Sequence, residues 1–420
     1  MQGKLSKDKK RQYYQSPRWS KEITDCSMPM TFDQYNKCAF GCLYCFSAFQ
    51  RAVGVASKNY KSADVNAVNM EKCKKIFSGE SSQFQPYIIA KKVFQWGGLS
   101  DPFCPYEQRY GVGLELLRHL RELEYPICFS TKGTWWLDDP RYTELFKDNK
   151  KWNVKVSIIT ADERKAHVIE PGVPTPAERL RAIERIARLN CGGATLRLRP
   201  FIIGISNPTH IELITTAGSL GATALSTEFF CLEVRSTILR KRLKVMSDVA
   251  GFDIFEFYRK FSSGVGYLRL NRNVKREYVM EMEEAAHSAG MRFYVSDAHF
   301  KERCANGSCC GLDTSWNYSR GQFCEALLIC KNRGSVRWAD IAPDLEYAKA
   351  FEWTKAEGYN TNSAESRAKF DGQSMYDFLR WCWNNPKSGE SPYKMFEGIM
   401  KPKGQDEEGN LIYEYDATRG

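Results

Sequence analysis

The 420-residue sequence has no run of about 18 apolar residues, so no membrane span is expected. Its first segment, Met1 to Arg18, is polar and basic with no apolar stretch, which argues against a secretory signal. No histidine precedes His119, so cysteines near the N-terminus lack the usual histidine partners of a zinc site. Acidic residues are outnumbered, 50 Asp and Glu against 61 Lys and Arg, for a formal net charge of +11. Disorder is excluded by a hydrophobic fraction of 43% and 13% aromatics, which indicate a packed globular chain. Cysteine, in contrast, is plentiful: there are 15. Without a secretory signal, that number favours reduced thiols and metal ligation over a disulfide framework. The length suits one large domain with appendages, or two domains.

The densest cysteine stretch is Cys38-Ala39-Phe40-Gly41-Cys42-Leu43-Tyr44-Cys45, with spacing C-x3-C-x2-C. Three close thiolates suit one face of an iron–sulfur cube, each on a different iron. The fourth iron then has no ligand from the motif and can take a chelating substrate, as an open zinc position takes water. A zinc knuckle or three packed core cysteines is the plainer alternative. Zinc sites usually add a second C-x2-C or histidines, and the next cysteine here is Cys73.

The spacing of Cys38, Cys42 and Cys45, with aromatic Tyr44, resembles the cluster loop of the radical S-adenosylmethionine (radical SAM) enzymes. The resemblance implies a [4Fe–4S] cluster whose open iron is chelated by the amino and carboxylate groups of SAM. It implies reductive cleavage to a 5′-deoxyadenosyl radical, an external electron donor of flavodoxin or ferredoxin type, and a cofactor site that includes Tyr44. An oxygen-sensitive cluster needs a reducing compartment, so a cytoplasmic protein is expected.

Further along, strands and helices alternate. Strands are expected at Pro29 to Tyr35, Val93 to Trp96, Pro126 to Lys132, Val154 to Thr160, Thr195 to Ile203 and Ala222 to Leu232. Helices are expected at Val65 to Phe77, Glu107 to Leu123, Pro140 to Phe146, Pro176 to Leu189 and Ile211 to Leu220. This α/β alternation predicts a parallel sheet. Six units match the partial (β/α)6 TIM-like barrel of radical SAM enzymes, with a cysteine-containing C-terminal region following. In that family a glycine-rich turn after the second strand binds the SAM amino group. Here the turn is Gly97-Gly98-Leu99-Ser100-Asp101, where paired glycines allow close backbone approach. Lys132, Ser157 and Arg199, at or near the ends of strands three to five, are candidate contacts for the SAM carboxylate or ribose. Each is equally well read as a salt bridge or a capped strand end.

Gly97 to Phe103, Ser130-Thr131-Lys132, and Glu170-Pro171-Gly172-Val173-Pro174-Thr175-Pro176 with Arg179-Leu180 resemble the spore photoproduct lyase-like branch. The resemblance covers about residues 30–235, judged by motif order. The branch's namesake repairs a thymine dimer in DNA by hydrogen abstraction. It uses a further cysteine downstream of its cluster as hydrogen donor; Cys73 and Cys104 are the nearest ones here, in a different context.

The expected organisation is a basic arm over 1–30, the barrel over 31–235 and a C-terminal region over 236–420. Lys4, Lys7, Lys9, Lys10, Arg11, Arg18 and Lys21 crowd the arm, which reads as a polyanion-binding patch or a solvated tail. Residues 236–290 read as helical and basic. A second thiol group, Cys304, Cys309, Cys310, Cys324 and Cys330, could hold a second iron–sulfur cluster or zinc, or act as unligated or catalytic thiols. Helices are expected at Asp344 to Glu357 and Ser374 to Trp383, then a hairpin around Gly404 to Asn410.

These readings converge on a radical SAM enzyme with lyase or isomerase chemistry. The branch resemblance and the positive charge favour a nucleic-acid base or nucleotide as substrate, through lesion repair or rearrangement of a modified base. Peptide or protein modification is the alternative reaction. A non-catalytic zinc or iron–sulfur nucleic-acid-binding protein is the alternative of a different class.

Overall fold

The computed structural model describes residues 17–20, 24–47, 64–234, 237–263, 267–350, 352 and 372–419. Most of the basic arm and the end of the helix expected to Glu357 lie outside the described residues. The chain divides into two compact units. Among the described residues the first comprises Phe32–Cys73 and Trp96–Phe293, and the second Pro17–Thr31, Lys74–Gln95 and Tyr294 onward.

The main sheet contains β1 (Arg18–Trp19), β2 (Met30–Phe32), β3 (Phe94–Trp96), β4 (Ile127–Thr131), β5 (Trp152–Ser157), β6 (Ala194–Phe201) and β7 (Ala224–Phe229). After β8 (Leu232–Glu233), β9 (Ser262–Ser263) and β10 (Tyr267–Leu270) comes its last member, β11 (Arg292–Val295). Strand order is β1-β2-β3-β4-β5-β6-β7-β11, an open sheet. Pairings β4–β5, β5–β6 and β6–β7 are parallel, while β1 runs antiparallel to β2. The expected α/β architecture with a mostly parallel sheet is therefore present. The central strand β5 is buried along its whole length. β5 shows the two faces: Trp152, Val154 and Val156 alternate with Asn153, Lys155 and Ser157, and all six are buried. Register carries the polar row onward, from Ser157 to Arg197 and from Arg197 to Ser226.

In the first unit, helices α3 (Pro105–Tyr110) and α4 (Val112–Glu122) follow β3, where one helix was expected. Gly111 divides them with φ +64°, a left-handed conformation that ends α3. Helix α5 (Pro140–Phe146) precedes β5. Helix α6 (Glu163–Ile169), which apolar spacing did not reveal, precedes α7 (Pro176–Arg188). Thr175 and Glu178 form a reciprocal capping box at the start of α7. Its buried Ala182, Ile183 and Ile186 form the face that packs on β5 and β6. Helix α8 (His210–Ser219) leads to β7. A segment holding β8, α9 (Thr237–Ala250), α10 (Ile254–Phe261), β9 and β10 is then inserted before α11 (Arg272–Ser288), which packs on α8. Earlier in the chain, α1 (Met70–Phe77) starts later than expected, because Ala67 makes an antiparallel bridge with Tyr35. Helix α2 (Gln85–Ile89) follows in the second unit.

In the second unit, α12 (Phe323–Arg333) and α13 (Met375–Asn384) accompany a small sheet. Its strands are β12 (Ser335–Val336), β13 (Met400–Gln405) and β14 (Leu411–Tyr415), in the order β12-β14-β13. The expected hairpin is the β13–β14 pair. Where a helix was expected from Asp344, a 3-10 helix runs over Ala342–Ala350. Trp383 anchors this core. Its indole donates to Leu411 O at 2.7 Å, its carbonyl accepts from Tyr413 Oη at 2.6 Å, and its ring meets Phe323, Trp338 and Tyr413. Among the described residues, no helix is long and apolar enough to cross a membrane.

Candidate functional site

The cysteine loop follows β2, and the glycine turn follows β3. Asp33, one residue past β2, joins them. Its Oδ1 accepts from Leu99 N at 2.9 Å, Ser100 N at 2.6 Å and Ser100 Oγ at 2.9 Å. Gly97 N donates to Phe32 O at 2.7 Å, and Gln34 Nε2 to Pro102 O at 2.7 Å. Gly97 has φ +80°, and a Cβ there would lie 2.5 Å from Pro102 Cδ, so both backbone and space call for glycine. Asp101 carries the tie on to β4. It accepts from Thr131 Oγ1 at 2.7 Å and from Lys132 N at 2.6 Å, besides Phe103 N at 2.9 Å. Burial raises the Asp101 carboxyl, and the Lys132 charge and these donors oppose that shift. The strand ends after β2, β3 and β4 are thus joined by hydrogen bonds. Ser100 Oγ and both Asp101 carboxylate oxygens are engaged in holding the turn.

The cysteine loop is fastened on its other side to the segment after α6. Leu43 N donates to Ile169 O at 2.9 Å, and Gly172 N to Phe40 O at 3.2 Å. Buried Tyr44 donates its phenol to Glu170 Oε1. Arg179 donates to Glu170 Oε2 and to Ser157 O, both at 2.7 Å. Glu170 and Arg179 side chains are each 1% exposed, so this is an ion pair withdrawn from water. Burial and the Glu170 charge push the Tyr44 phenol well above its ordinary value, which keeps it a donor. Lys132 Nζ sits 5.7 Å from the centre of the Tyr44 ring. From α9, Arg242 Nη1 donates to Cys42 O at 3.2 Å and Leu43 O at 3.4 Å.

Cys38, Cys42 and Cys45 are reduced, with no disulfide joining them. Burial raises Cys42, the Lys132 charge opposes the rise, and Glu170, Cys45 and Cys38 add to it. A cation beside a thiol favours the thiolate that ligates metal. Cys38 shares a side-chain hydrogen bond with buried Cys104, and this contact, with burial, raises the Cys38 thiol. Among the described residues, no group of three or more His, Cys, Asp or Glu side chains is already drawn around one point as a single ion requires. A four-iron cube is wider than an ion and takes each thiol on a separate iron. Three reduced thiols within eight residues, beside one ammonium group, fit that donor set.

Ser157 closes β5 with its carbonyl engaged by Arg179, so the role seen for it is in the backbone. Arg199 lies within β6 and is ion-paired to Glu228 of β7. Lys132, Ser157 and Arg199 therefore stand at successive strands, but Arg199 sits on the sheet and not on a loop. Sequence reading missed Asp33, Glu170, Arg179, Arg242 and the polar row of Lys155 and Arg197. Glu170 and Arg179 lie within the stretch that resembles the lyase-like branch, but a buried charged pair gives no periodic signal. Lys155 was hidden by its place in an apolar strand.

The second thiol group lies in the second unit. Buried Lys301 pairs with Asp25 at 2.9 Å and feels Cys309, Cys324 and Cys304. Cys324 Sγ donates to Gly307 O at 3.0 Å, and Cys304 Sγ to Val295 O at 3.3 Å. Burial pushes Cys304 up to about 12. Cys309 and Cys310 sulfurs are 3.9 Å apart. Cys330 is engaged elsewhere, donating to Tyr413 O at 3.5 Å. Buried, raised thiols occupied by carbonyls are set up as neutral donors.

No protein-family model matches the chain, and no curated protein sequence matches it. Similar solved structures include a cysteine-to-alanine variant of spore photoproduct lyase, with 16% identity and a TM-score of 0.48 over 67% of this chain and 80% of that one. Spore photoproduct lyase complexed with dinucleoside spore photoproduct gives 16% identity and 0.46, over 64% and 76%. Streptococcus suis SuiB bound to precursor peptide SuiA gives 14% identity and 0.37, over 66% and 60%.

Proposed function

We propose that this chain is a cytoplasmic radical SAM enzyme acting on a nucleic-acid base or nucleotide, with its cofactor chemistry in residues 31–235. The observation that carries the reading is the tethering of a reduced C-x3-C-x2-C thiol loop to a Gly-Gly turn through Asp33. Cys38, Cys42 and Cys45 would hold a [4Fe–4S] cluster, and the Gly97–Asp101 turn would meet SAM. When bound, the two supply a 5′-deoxyadenosyl radical that takes a hydrogen atom from substrate.

The chain's own part is positioning. Asp33 and Asp101 fix the turn, so its backbone presents one shape to a ligand. Tyr44, Glu170 and Arg179 fix the thiol loop without exposing a charge to water. Lys132 offsets negative charge gathering on the thiols. The row of Ser157, Arg197 and Ser226, with Lys155 two residues before Ser157 on the same face of β5 and Arg199 paired to Glu228, gives the sheet a polar face suited to the polar edges of a nucleobase or a carboxylate. Electrons would come from a flavodoxin- or ferredoxin-type donor.

Anaerobic reconstitution tests this. Iron and sulfide are assayed, and then SAM, dithionite and either DNA, nucleosides or peptides are added with mass spectrometry for 5′-deoxyadenosine. Iron with sulfide and nucleic-acid-dependent deoxyadenosine support the reading. Zinc without sulfide, or stimulation by peptides alone, overturns it.

A further inference from the structure

The segment inserted between β7 and α11 is basic. Residues 237–270 contain seven Lys and Arg against three Asp and Glu. Helix α9 sorts its side chains by chemistry. Leu239, Leu243 and Met246 are buried, whereas Arg240, Lys241 and Lys244 are exposed. The same helix touches the thiol loop, because Arg242 holds the carbonyls of Cys42 and Leu43. Helix α10 packs against both α9 and β10. On β10, Leu268 and Leu270 are buried while Tyr267 and Arg269 are exposed, as alternation along a strand requires. Tyr267 is 43% exposed, and the Arg269 guanidinium lies 5.6 Å from its ring centre.

We infer that this insertion is a docking surface for single-stranded nucleic acid, delivering a strand beside the thiol loop. Exposed cations along one helix face match a phosphate backbone. An exposed aromatic ring braced by a guanidinium is a stacking platform for an unpaired base, which every base can use. A membrane is disfavoured, since Leu239, Leu243 and Met246 are buried and Val245, 40% exposed, is the one large apolar side chain that the described residues of α9 expose among its cations, too little for the oily stripe that lipid requires. The inference rests on the nucleic-acid reading of the substrate, and names the surface that would grip the strand around the reacting nucleotide.

Fluorescence anisotropy with a labelled single-stranded oligonucleotide, across a salt series, tests it on the full chain. Arg240→Glu/Lys241→Glu/Lys244→Glu should weaken binding at least about tenfold at low salt and flatten the salt dependence by about 0.7 per lost phosphate contact. Tyr267→Ala should weaken binding by roughly five- to hundredfold, the span of one lost base stack, with the salt slope kept. Lys147→Glu/Lys401→Glu, at exposed positions elsewhere, is the charge control, and thermal melts confirm that each variant folds. Unchanged binding in both surface variants, or equal loss in the control, overturns the surface. Binding of an acidic peptide to α9 in preference to the oligonucleotide also overturns it. Deoxyadenosine formation with free nucleosides separates the two failures. If it persists while the surface variants bind strands normally, the docking surface falls and the substrate reading stands. If only peptides stimulate it, the substrate reading falls first.

Discussion

Tyr44 gives its phenol hydrogen to Glu170, and both residues are buried. Tyr44 belongs to the thiol loop and Glu170 is the residue that ends α6, so the bond fastens one to the other across 126 positions of sequence. Arg179 of α7 makes the carboxylate affordable in a dry setting.

Breaking that set has graded costs. Glu170→Ala leaves Arg179 charged and unpaired in the interior, and is expected to destabilise the first unit by about 3–5 kcal/mol. Tyr44→Phe removes one hydrogen bond to a charged group, worth about 1.5–3 kcal/mol. Urea unfolding followed by tryptophan fluorescence checks the order. Equal effects, or a milder Glu170→Ala, would contradict it.

Cys104 contacts Cys38, so four thiols gather near the loop. A cube with a vacant corner needs three. Cys104→Ala should therefore retain full iron and sulfide after reconstitution, whereas Cys38→Ala, Cys42→Ala and Cys45→Ala should each lose most of both. Metal analysis with electron paramagnetic resonance of the reduced protein decides. Loss of iron in Cys104→Ala would show a closed, four-thiol site.

Glu107 is surrounded by donors. It accepts from Tyr35 Oη at 2.8 Å, Tyr142 Oη at 2.7 Å, Gly113 N at 2.8 Å and Leu114 N at 3.0 Å. Burial raises its carboxyl, and those donors pull it back. Glu107→Gln turns one acceptor atom into a donor facing donors, and should cost about 1–3 kcal/mol. A thermal melt within one degree of the parent would refute this.

His210 is buried at the start of α8, with Nε2 3.3 Å from Glu281 and its ring against Phe201. Burial lowers its proton affinity, and Glu281 restores part of it. Unfolding therefore takes up a proton once pH falls below the ordinary histidine value of 6.5. The contribution to stability is present above that pH and is lost as pH falls toward the lowered native value. Urea midpoints at pH 7.5 and 5.5 should differ less in His210→Gln than in the parent. An unchanged difference would remove His210 from the account.

The strand–helix alternation, the thiol loop and the glycine turn were legible because each is a local pattern. So was the N-terminus of α7, where Thr175 and Pro176 mark the cap. What escaped was non-local. Asp33 looks like any residue after a short strand until Leu99 and Ser100 arrive at its carboxylate. Glu107 reads as the first turn of an amphipathic helix, although it is buried and bound by two tyrosines. The division at Gly111 was missed because apolar spacing continues through Leu114, Leu117 and Leu120, all buried. Periodicity reports which face is covered, not where the axis breaks.

The Asp33 contacts also bear on how a ligand would be received. With two amides and a hydroxyl converging on one oxygen, the banks on either side of the ligand are set at a fixed spacing while the chain folds. The entropy of bringing them together is spent before any small molecule arrives, so more of a ligand's contact energy remains as affinity. Replacing Asp33 would leave every thiol and glycine in place, yet return that ordering cost to the moment of binding.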